Sequence, residues 1–235
     1  MATFRMGGRH GTLPIAPEDE LRARKAIIVI LCAFGISLYS GAKGHCGPGG
    51  GNEDAGLPAE FEVMKNDNPD KYRDFRHVLR HIRRMNRKQN EKTSLSVAKA
   101  LVDHVYWERY SFASREHRLN FLSVIMGIVR VESGFDPAAV SNRNARGLMQ
   151  VHWPTWKRYF SSPEEAHDLR RNLTVGTGIL RLYMRQSKND LRRALYRYLG
   201  APDDRYADKV IESAAAFKAR VLSDPLEQTA GGKEP

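Results

Sequence analysis

Apolar residues recur at the spacing of α-helices along most of the chain, and no segment alternates apolar and polar residues as a half-buried strand does. One helix is predicted to start at Pro69 and Asp70, with an apolar face formed by Phe75, Val78, Leu79, Ile82 and Met85. Further helical patterns cover roughly residues 152–160, 163–170, 173–187, 190–199 and 203–222. The pattern therefore predicts an all-α domain from about residue 60 to residue 224.

The segment from Arg118 to Ser133 differs from the other predicted helices because it is apolar nearly all round. A helix without a polar face is stable only when other elements enclose it, so we expect this one to be central and buried. The helix before it has an ordinary apolar stripe, and Thr93 or Ser94 is its expected N-cap. That stripe consists of Leu95, Ala98, Leu101, Val102 and Val105.

The N-terminal region carries the pattern of an export signal. Basic residues Arg22, Arg24 and Lys25 precede an apolar run over residues 26–39, and small residues follow at 40–42. This is the layout of a cleaved secretory signal, and an uncleaved membrane anchor with its basic end in the cytoplasm fits the same pattern. Either interpretation places the rest of the chain outside the cytoplasm.

Glycine and proline separate the predicted segments. Residues 43–58 contain too many of both to form a regular element and are predicted to be a linker. The predicted organisation is an n-region at 1–25, a signal or anchor at 26–42, the linker, a basic helical extension at 59–94, the folded domain at 95–224 and a disordered tail at 225–235. Cys32 and Cys46 match neither a metal site nor a disulfide framework, so we expect no disulfide and no structural metal in the folded domain. No cofactor is expected either.

The net charge of +11 favours anionic partners without choosing among them. The most basic stretch, Arg76 to Lys88, is either a solvated helix face or a surface for anionic lipid or wall polymer. Nucleic acid is a third candidate, and the export signal argues against it.

Glu132 is the residue most suited to chemistry. It ends the apolar helix, and Gly134 followed by Asp136-Pro137 stops that helix and turns the chain away. Apolar surroundings and the negative end of the helix dipole both raise the pKa of a carboxyl group in this position. A glutamic acid that keeps its proton near neutral pH can protonate the leaving oxygen of a glycosidic bond. The alternative is a surface carboxylate paired with Arg130 or Arg143.

The next distinctive segment is Gly147-Leu148-Met149-Gln150, which combines an apolar surface, an amide and a glycine that permits close backbone approach. Such a wall suits a saccharide, whose faces are partly apolar. The aromatic residues that follow could stack on sugar rings, although packing in the core is their more common role. They are His152, Trp153, Trp156 and Tyr159.

Residues 132–156, ESGFDPAAVSNRNARGLMQVHWPTW, resemble the first two signature segments of the soluble lytic transglycosylase (SLT) domain. The matching positions in type and spacing are Glu132-Ser133, Asp136-Pro137, Ala139, Ser141 and Gly147 to Gln150. A third family segment, Ala-Leu-x-x-Tyr-Asn-x-Gly, is similar to Ala194 to Ala201, but Leu199 stands where the family has Asn. The resemblance covers roughly residues 95 to 220.

This resemblance implies an all-α fold like that of goose-type lysozyme, with a catalytic cleft and with peptidoglycan as the substrate. It implies a carbon–oxygen lyase in which Glu132 protonates the oxygen between N-acetylmuramic acid and N-acetylglucosamine. Glu132 then takes the proton of the C6 hydroxyl, which closes a 1,6-anhydro ring. The resemblance further implies that Tyr198 hydrogen-bonds near Glu132 or the reacting sugar, and that Ser133 and Gln150 orient Glu132 or the substrate. The predicted substrate-binding residues are Ser133, Gly147, Leu148, Met149, Gln150 and Tyr198. The expected location is the periplasm or the inner membrane facing the wall.

Two other functions fit the same segments. A hydrolytic muramidase of the inverting type needs a second carboxylate about 6.5–9.5 Å from the first, and the candidates are Asp136, Glu164, Glu165 and Asp168. Asp136 is better explained as a turn residue, and Glu164 and Glu165 as first-turn charges of a helix. The other alternative is a non-catalytic wall-binding protein, which the altered third segment favours and the intact first two segments oppose.

Overall fold

The computed structural model describes residues 57–107 and 110–224. This part of the chain forms eight α-helices, two 3₁₀-helices (Lys157–Tyr159 and Glu164–His167) and one two-stranded antiparallel sheet. The α-helices are α1 Ala59–Asp67, α2 Pro69–Met85, α3 Glu91–Val105, α4 Arg115–Glu132, α5 Trp153–Trp156, α6 Leu169–Gln186, α7 Leu191–Leu199 and α8 Asp204–Leu222. The predicted all-α, lysozyme-like fold class is confirmed.

Side-chain caps fix where most of the helices begin. Asn68 accepts a hydrogen bond from the backbone N–H of Lys71, and Pro69 occupies the first turn of α2, as the sequence predicted. The predicted caps of α3 are wrong, because Asn90 caps this helix by accepting from the N–H of Thr93. Ser94 lies inside the first turn, where its hydroxyl donates back to the carbonyl of Asn90.

Helix α4 is the central helix. All of its residues from Leu119 to Val129 are buried, which confirms the expectation from its apolar sequence. Helix α8 packs along it in the antiparallel sense, so that Tyr206 lies beside Glu132 at one end and Lys218 beside Glu116 at the other. The two helices approach most closely at Gly127, where an added Cβ would lie 2.4 Å from the carbonyl oxygen of Val210.

A short hairpin interrupts the helices, where the sequence predicted no strand. Its strands are β1 Ala145–Arg146 and β2 Val151–His152, paired in antiparallel register. Strands of two residues are too short to show an alternating pattern, which is why the sequence analysis missed them. The segment from Gly147 to Gln150 connects them and is held against α6.

Asn172 of α6, which is completely buried, forms that attachment. Its side-chain oxygen accepts from the N–H of Met149 at 2.8 Å, and its amide nitrogen donates to the carbonyls of Arg146 and Ala166, each at 2.8 Å. All three bonds satisfy backbone groups that would otherwise be buried without partners. This one side chain therefore bonds to the hairpin region at both Arg146 and Met149.

The basic stretch of α2 is not a bare solvated face. Arg80 pairs with Asp224 at 2.6 Å, and Arg83 pairs with Glu91. The same helix buries His77 and His81, whereas Arg84 is exposed. Part of the positive charge thus holds α2 to its neighbours, and a partner on an anionic membrane surface remains a prediction.

Several sequence predictions fall outside the described residues. These are the n-region at 1–25, the signal or anchor at 26–42, nearly all of the linker at 43–58, the tail at 225–235, and both cysteines. Within residues 57–107 and 110–224, no helix combines the length and the apolar character needed to cross a membrane. The predicted boundaries at 59–94 and 95–224 remain predictions.

The contact at Gly127 leads to a first prediction. Gly127→Ala should lower the free energy of unfolding by about 1–3 kcal/mol, because the new methyl group must push the backbone of α8 away from α4. Urea denaturation of the full chain measures this loss. Ala216→Val, on the exposed side of α8, is the control and should cost less than about 1 kcal/mol. Equal losses for the two variants would show that the close approach is not a constraint.

Candidate active site

Glu132 is the last residue of α4, and the chain turns sharply after it. Ser133 is the C-cap, and Gly134 and Phe135 both adopt left-handed backbone conformations with φ of 58° and 71°. The N–H of Asp136 then donates to the carbonyl of Ser133 at 3.1 Å. The helix stop that the sequence predicted at Gly134 is confirmed.

The carboxyl group of Glu132 accepts a hydrogen bond of 2.5 Å from the hydroxyl of Tyr206. Burial raises the pKa of Glu132 to about 7, and the Tyr206 bond acts in the opposite direction because it favours the carboxylate. Among the described residues, no ion pair joins this carboxyl group to Arg130 or Arg143. The alternative, in which Glu132 is a surface carboxylate paired with one of these arginines, is therefore wrong.

Tyr198 lies near Glu132 but bonds elsewhere. Its hydroxyl donates to the carbonyl of Met149 at 2.8 Å and thereby ties the end of α7 to the hairpin. Burial and the negative charge of Glu132 both raise the pKa of Tyr198 well above its usual value. Tyr198 therefore remains a neutral donor over the whole working range of pH.

Tyr206 is the partner that the sequence analysis missed. The sequence placed it only within the helix predicted at about 203–222, and its relation to Glu132 depends on the antiparallel packing of α8 on α4. Because burial and Glu132 both raise the pKa of Tyr206, its hydroxyl keeps its proton. Asp203, the N-cap of α8 three residues earlier, was the available signal, since it places Tyr206 in the first turn of the helix.

The predicted apolar wall from Gly147 to Gln150 is wrong as far as its side chains are concerned. Leu148 and Met149 are 0% exposed, so their side chains belong to the core. The glycine allows close approach to the protein itself, because a Cβ at Gly147 would lie 2.5 Å from the carbonyl oxygen of Ala166 and from the amide nitrogen of Asn172. The side chains of Leu148 and Met149 are therefore not available for contact with a substrate.

Gln150 and Ser133 use their side chains on the backbone rather than on Glu132. The amide of Gln150 donates to the carbonyls of Ala139 and Gly147, each at 3.0 Å. The hydroxyl of Ser133 donates to the carbonyl of Val129 at 3.1 Å, which closes the end of α4. In this conformation both residues support the shape of the site without touching the carboxyl group.

The aromatic residues after the hairpin pack mainly against one another. Trp153 lies against Phe160 with ring centroids 5.8 Å apart, and Trp156 stacks on Tyr159 at 5.9 Å. His152 is exposed, and its ring nitrogen is hydrogen-bonded to Thr155. These contacts agree with packing, the more common role of such residues.

The four acids considered as a second carboxylate each have another role or location. Asp136 accepts from the N–H of Ala138, as expected of a turn residue, and Asp168 caps α6. Glu165 accepts from the N–H of Ser161, and Glu164 is exposed in the first turn of a 3₁₀-helix. The raised pKa of Glu132 is explained by burial, without a second acid.

A separate groove of about 760 Å³ lies between α3 and the start of α6 and does not include Glu132. Its lining includes Lys71, Lys99, Asp103, His104 and Arg170. Asp103 pairs with both lysines at 2.7 Å, so part of this positive charge is balanced within the groove.

The family model of the transglycosylase SLT domain matches residues 110–216, which include Glu132, the hairpin, Tyr198 and Tyr206. No curated protein and no solved structure matches the chain significantly. The matched segment agrees with the lysozyme-like helical fold, and enzymes of this family act on peptidoglycan. Residues 110–216 are therefore similar to the SLT domain of lytic transglycosylases, which confirms the resemblance seen in the sequence.

Proposed function

We propose that this protein cleaves the β-1,4 bond between N-acetylmuramic acid and N-acetylglucosamine in peptidoglycan, with Glu132 as the only general acid and base. One observation carries the proposal: a carboxyl group at the end of a buried helix, hydrogen-bonded to a neutral phenol and with a pKa of about 7. A group with this pKa exists in both protonation states near neutral pH and can donate a proton and later accept one.

In the first step, protonated Glu132 donates its proton to the oxygen that bridges the two sugars, and the bond from that oxygen to C1 of N-acetylmuramic acid breaks. The substrate's own N-acetyl group stabilises the positive charge that develops at C1. In the second step, the Glu132 carboxylate takes the proton of the C6 hydroxyl while O6 bonds to C1. The product has a 1,6-anhydro ring, Glu132 is protonated again, and no water is consumed.

Tyr206 stabilises the state between these two steps. Its hydroxyl donates to the carboxylate, so the bond is strongest after Glu132 has given up its proton. Tyr206 also keeps the pKa of Glu132 lower than burial alone would make it. The pKa is thus a balance between an environment that favours the acid and a donor that favours its base.

The hairpin supplies the second part of the proposed site. Tyr198 and Asn172 fix the backbone of Met149 on both sides of its Cα, one through its carbonyl and the other through its N–H. We propose that the backbone from Gly147 to Gln150 contacts the glycan. Leu199 is 41% exposed at the end of α7, where the family's Asn is expected, and it gives this surface an apolar edge.

The substrate determines the proposed location. Peptidoglycan lies outside the cytoplasmic membrane, so the enzyme works in the periplasm or anchored to the inner membrane and facing the wall. The basic apolar pattern at residues 22–42 supports export.

A second prediction concerns activity. Glu132→Gln should abolish cleavage of purified peptidoglycan, because an amide keeps the shape of the side chain but cannot exchange the proton. Mass spectrometry of wild-type digests should find 1,6-anhydro ends and no new reducing ends. Reducing ends would mean that the enzyme is a hydrolytic muramidase. A wild-type chain that binds the wall without cutting it would support the non-catalytic alternative.

A third prediction concerns stability and its dependence on pH. The folded state holds the proton of Glu132 up to about pH 7, whereas the unfolded chain releases it near pH 4.5. Wild-type stability is therefore lowered as pH rises from about 4.5 to about 7, by about 3 kcal/mol in total. Relative to wild type, Glu132→Gln should be more stable at pH 8 by up to this amount and similar at pH 4. Denaturation at both values tests this, and a constant difference would contradict it.

A fourth prediction concerns Tyr206. Tyr206→Phe removes the donor to the carboxylate, so the pKa of Glu132 should rise above about 7. The fall of activity at alkaline pH, where Glu132 loses its proton, should move to higher pH, and the maximal rate should decrease. Tyr196→Phe is the matched control, because the Tyr196 hydroxyl donates to the exposed Asp204 instead. A pH profile that moves equally in both variants, or in neither, would exclude this role.

A further inference from the structure

We infer that Asn86 and Gln89, which precede the SLT domain, position Glu132 by holding the turn that follows it. Both residues lie in the loop between α2 and α3, before Tyr110, where the family match begins. The inference rests on the proposed function of Glu132. It extends the catalytic machinery to a part of the chain that the family model does not cover.

Two hydrogen bonds join the loop to the turn. The side-chain amide of Asn86 donates to the carbonyl of Gly134 at 3.0 Å, and that of Gln89 donates to the carbonyl of Phe135 at 2.8 Å. A backbone carbonyl can only accept, so the orientation of each amide is determined by its partner. The two accepting residues lie two and three positions after Glu132.

The turn needs such support because its backbone is strained. Gly134 adopts a left-handed conformation without penalty, but Phe135 does so at φ 71° with a bulky side chain. Such a residue persists where its surroundings hold it. Phe135 is 0% exposed and packs edge-on against His81 of α2, with ring centroids 5.9 Å apart.

The loop that carries the two amides is itself well anchored. Asn86 is the C-cap of α2, where its N–H donates to the carbonyl of Ile82 at 2.8 Å, and the N–H of Gln89 donates to the carbonyl of Asn86 at 3.2 Å. Asn90 then starts α3, and Arg83 and Glu91 form an ion pair across the loop. The loop therefore holds the side-chain amides of Asn86 and Gln89 in place independently of their bonds to the turn.

The conformation of this turn also determines how Glu132 is enclosed. The N–H of Ser133 donates to the carbonyl of Val129 at 3.1 Å, and Asp136 closes back onto Ser133, so a shift of Gly134 and Phe135 is transmitted to the end of α4. Displacement of a catalytic group by about 1 Å can lower its rate about a hundredfold. A looser turn also admits water to the carboxyl group.

The test compares Asn86→Ala, Gln89→Ala and their double variant with Asn90→Ala in the full chain. Asn90 lies in the same loop and caps α3, but its side chain does not bond to the turn. Three quantities are measured on each protein: the rate and half-saturating concentration for peptidoglycan cleavage, the melting temperature, and the pKa of Glu132 from NMR of a ¹³C-labelled carboxyl group. Gln89→Met keeps the side-chain length if Gln89→Ala does not fold.

Asn86 and Gln89 together form the clamp on the turn. Variants of these two residues, the clamp variants, should lose about tenfold to a hundredfold in maximal rate, with little change in the half-saturating concentration of peptidoglycan. The pKa of Glu132 should fall from about 7 towards its ordinary 4.5 in these variants. Asn90→Ala should lower the melting temperature but leave the rate and the pKa unchanged.

Clamp variants that only melt earlier, as Asn90→Ala does, would overturn the inference. The NMR titration needs no substrate, so it tests the clamp even if the protein fails to cut peptidoglycan. That failure would contradict the proposed function. The clamp would then be tested only by the pKa of Glu132 in the variants.

Discussion

The packing of α8 on α4 is the contact on which the site depends. Gly127 lets the two helices approach until the backbone of one nearly touches the other, and their antiparallel direction brings the first turn of α8 beside the last residue of α4. A carboxyl group at a helix end would ordinarily face water. Here the neighbouring helix covers it and offers one hydroxyl, so burial and a single hydrogen bond together determine its pKa.

The hairpin also depends on its contacts with a neighbouring helix, in this case α6. Asn172 satisfies two of its backbone groups, the N–H of Met149 and the carbonyl of Arg146, and also the carbonyl of Ala166 beside it. Gly176 of the same helix leaves room for Met149, whose sulfur would lie 2.6 Å from a Cβ at that position. Helix α6 therefore provides both the polar partner and the space that this short segment needs.

The sequence predicted most of the helices because their apolar periodicity is strong, and α4 was recognisable as central from its apolar residues alone. Glu132 could be singled out because a charge at the end of such a helix is costly. Tyr206 could not be connected with it, since the two residues are 74 positions apart in sequence and meet only through the packing of their helices. Leu148 and Met149 were assigned to a surface because an apolar run looks the same whether it faces a ligand or the core. The cap of α3 was placed too late because Asn, Ser and Thr cap helices about equally well.

Helix α3 has a consequence for how the domain can be recombined. Its residues Val97, Ala98 and Leu101 are wholly enclosed in the same core as α4 and α6, although all three precede the matched segment that begins at Tyr110. A chimera assembled at that border would carry Glu132 but would leave part of the hydrophobic core around it with the other parent. In this protein the segment that must be exchanged as one piece is therefore longer than the segment that the family model matches.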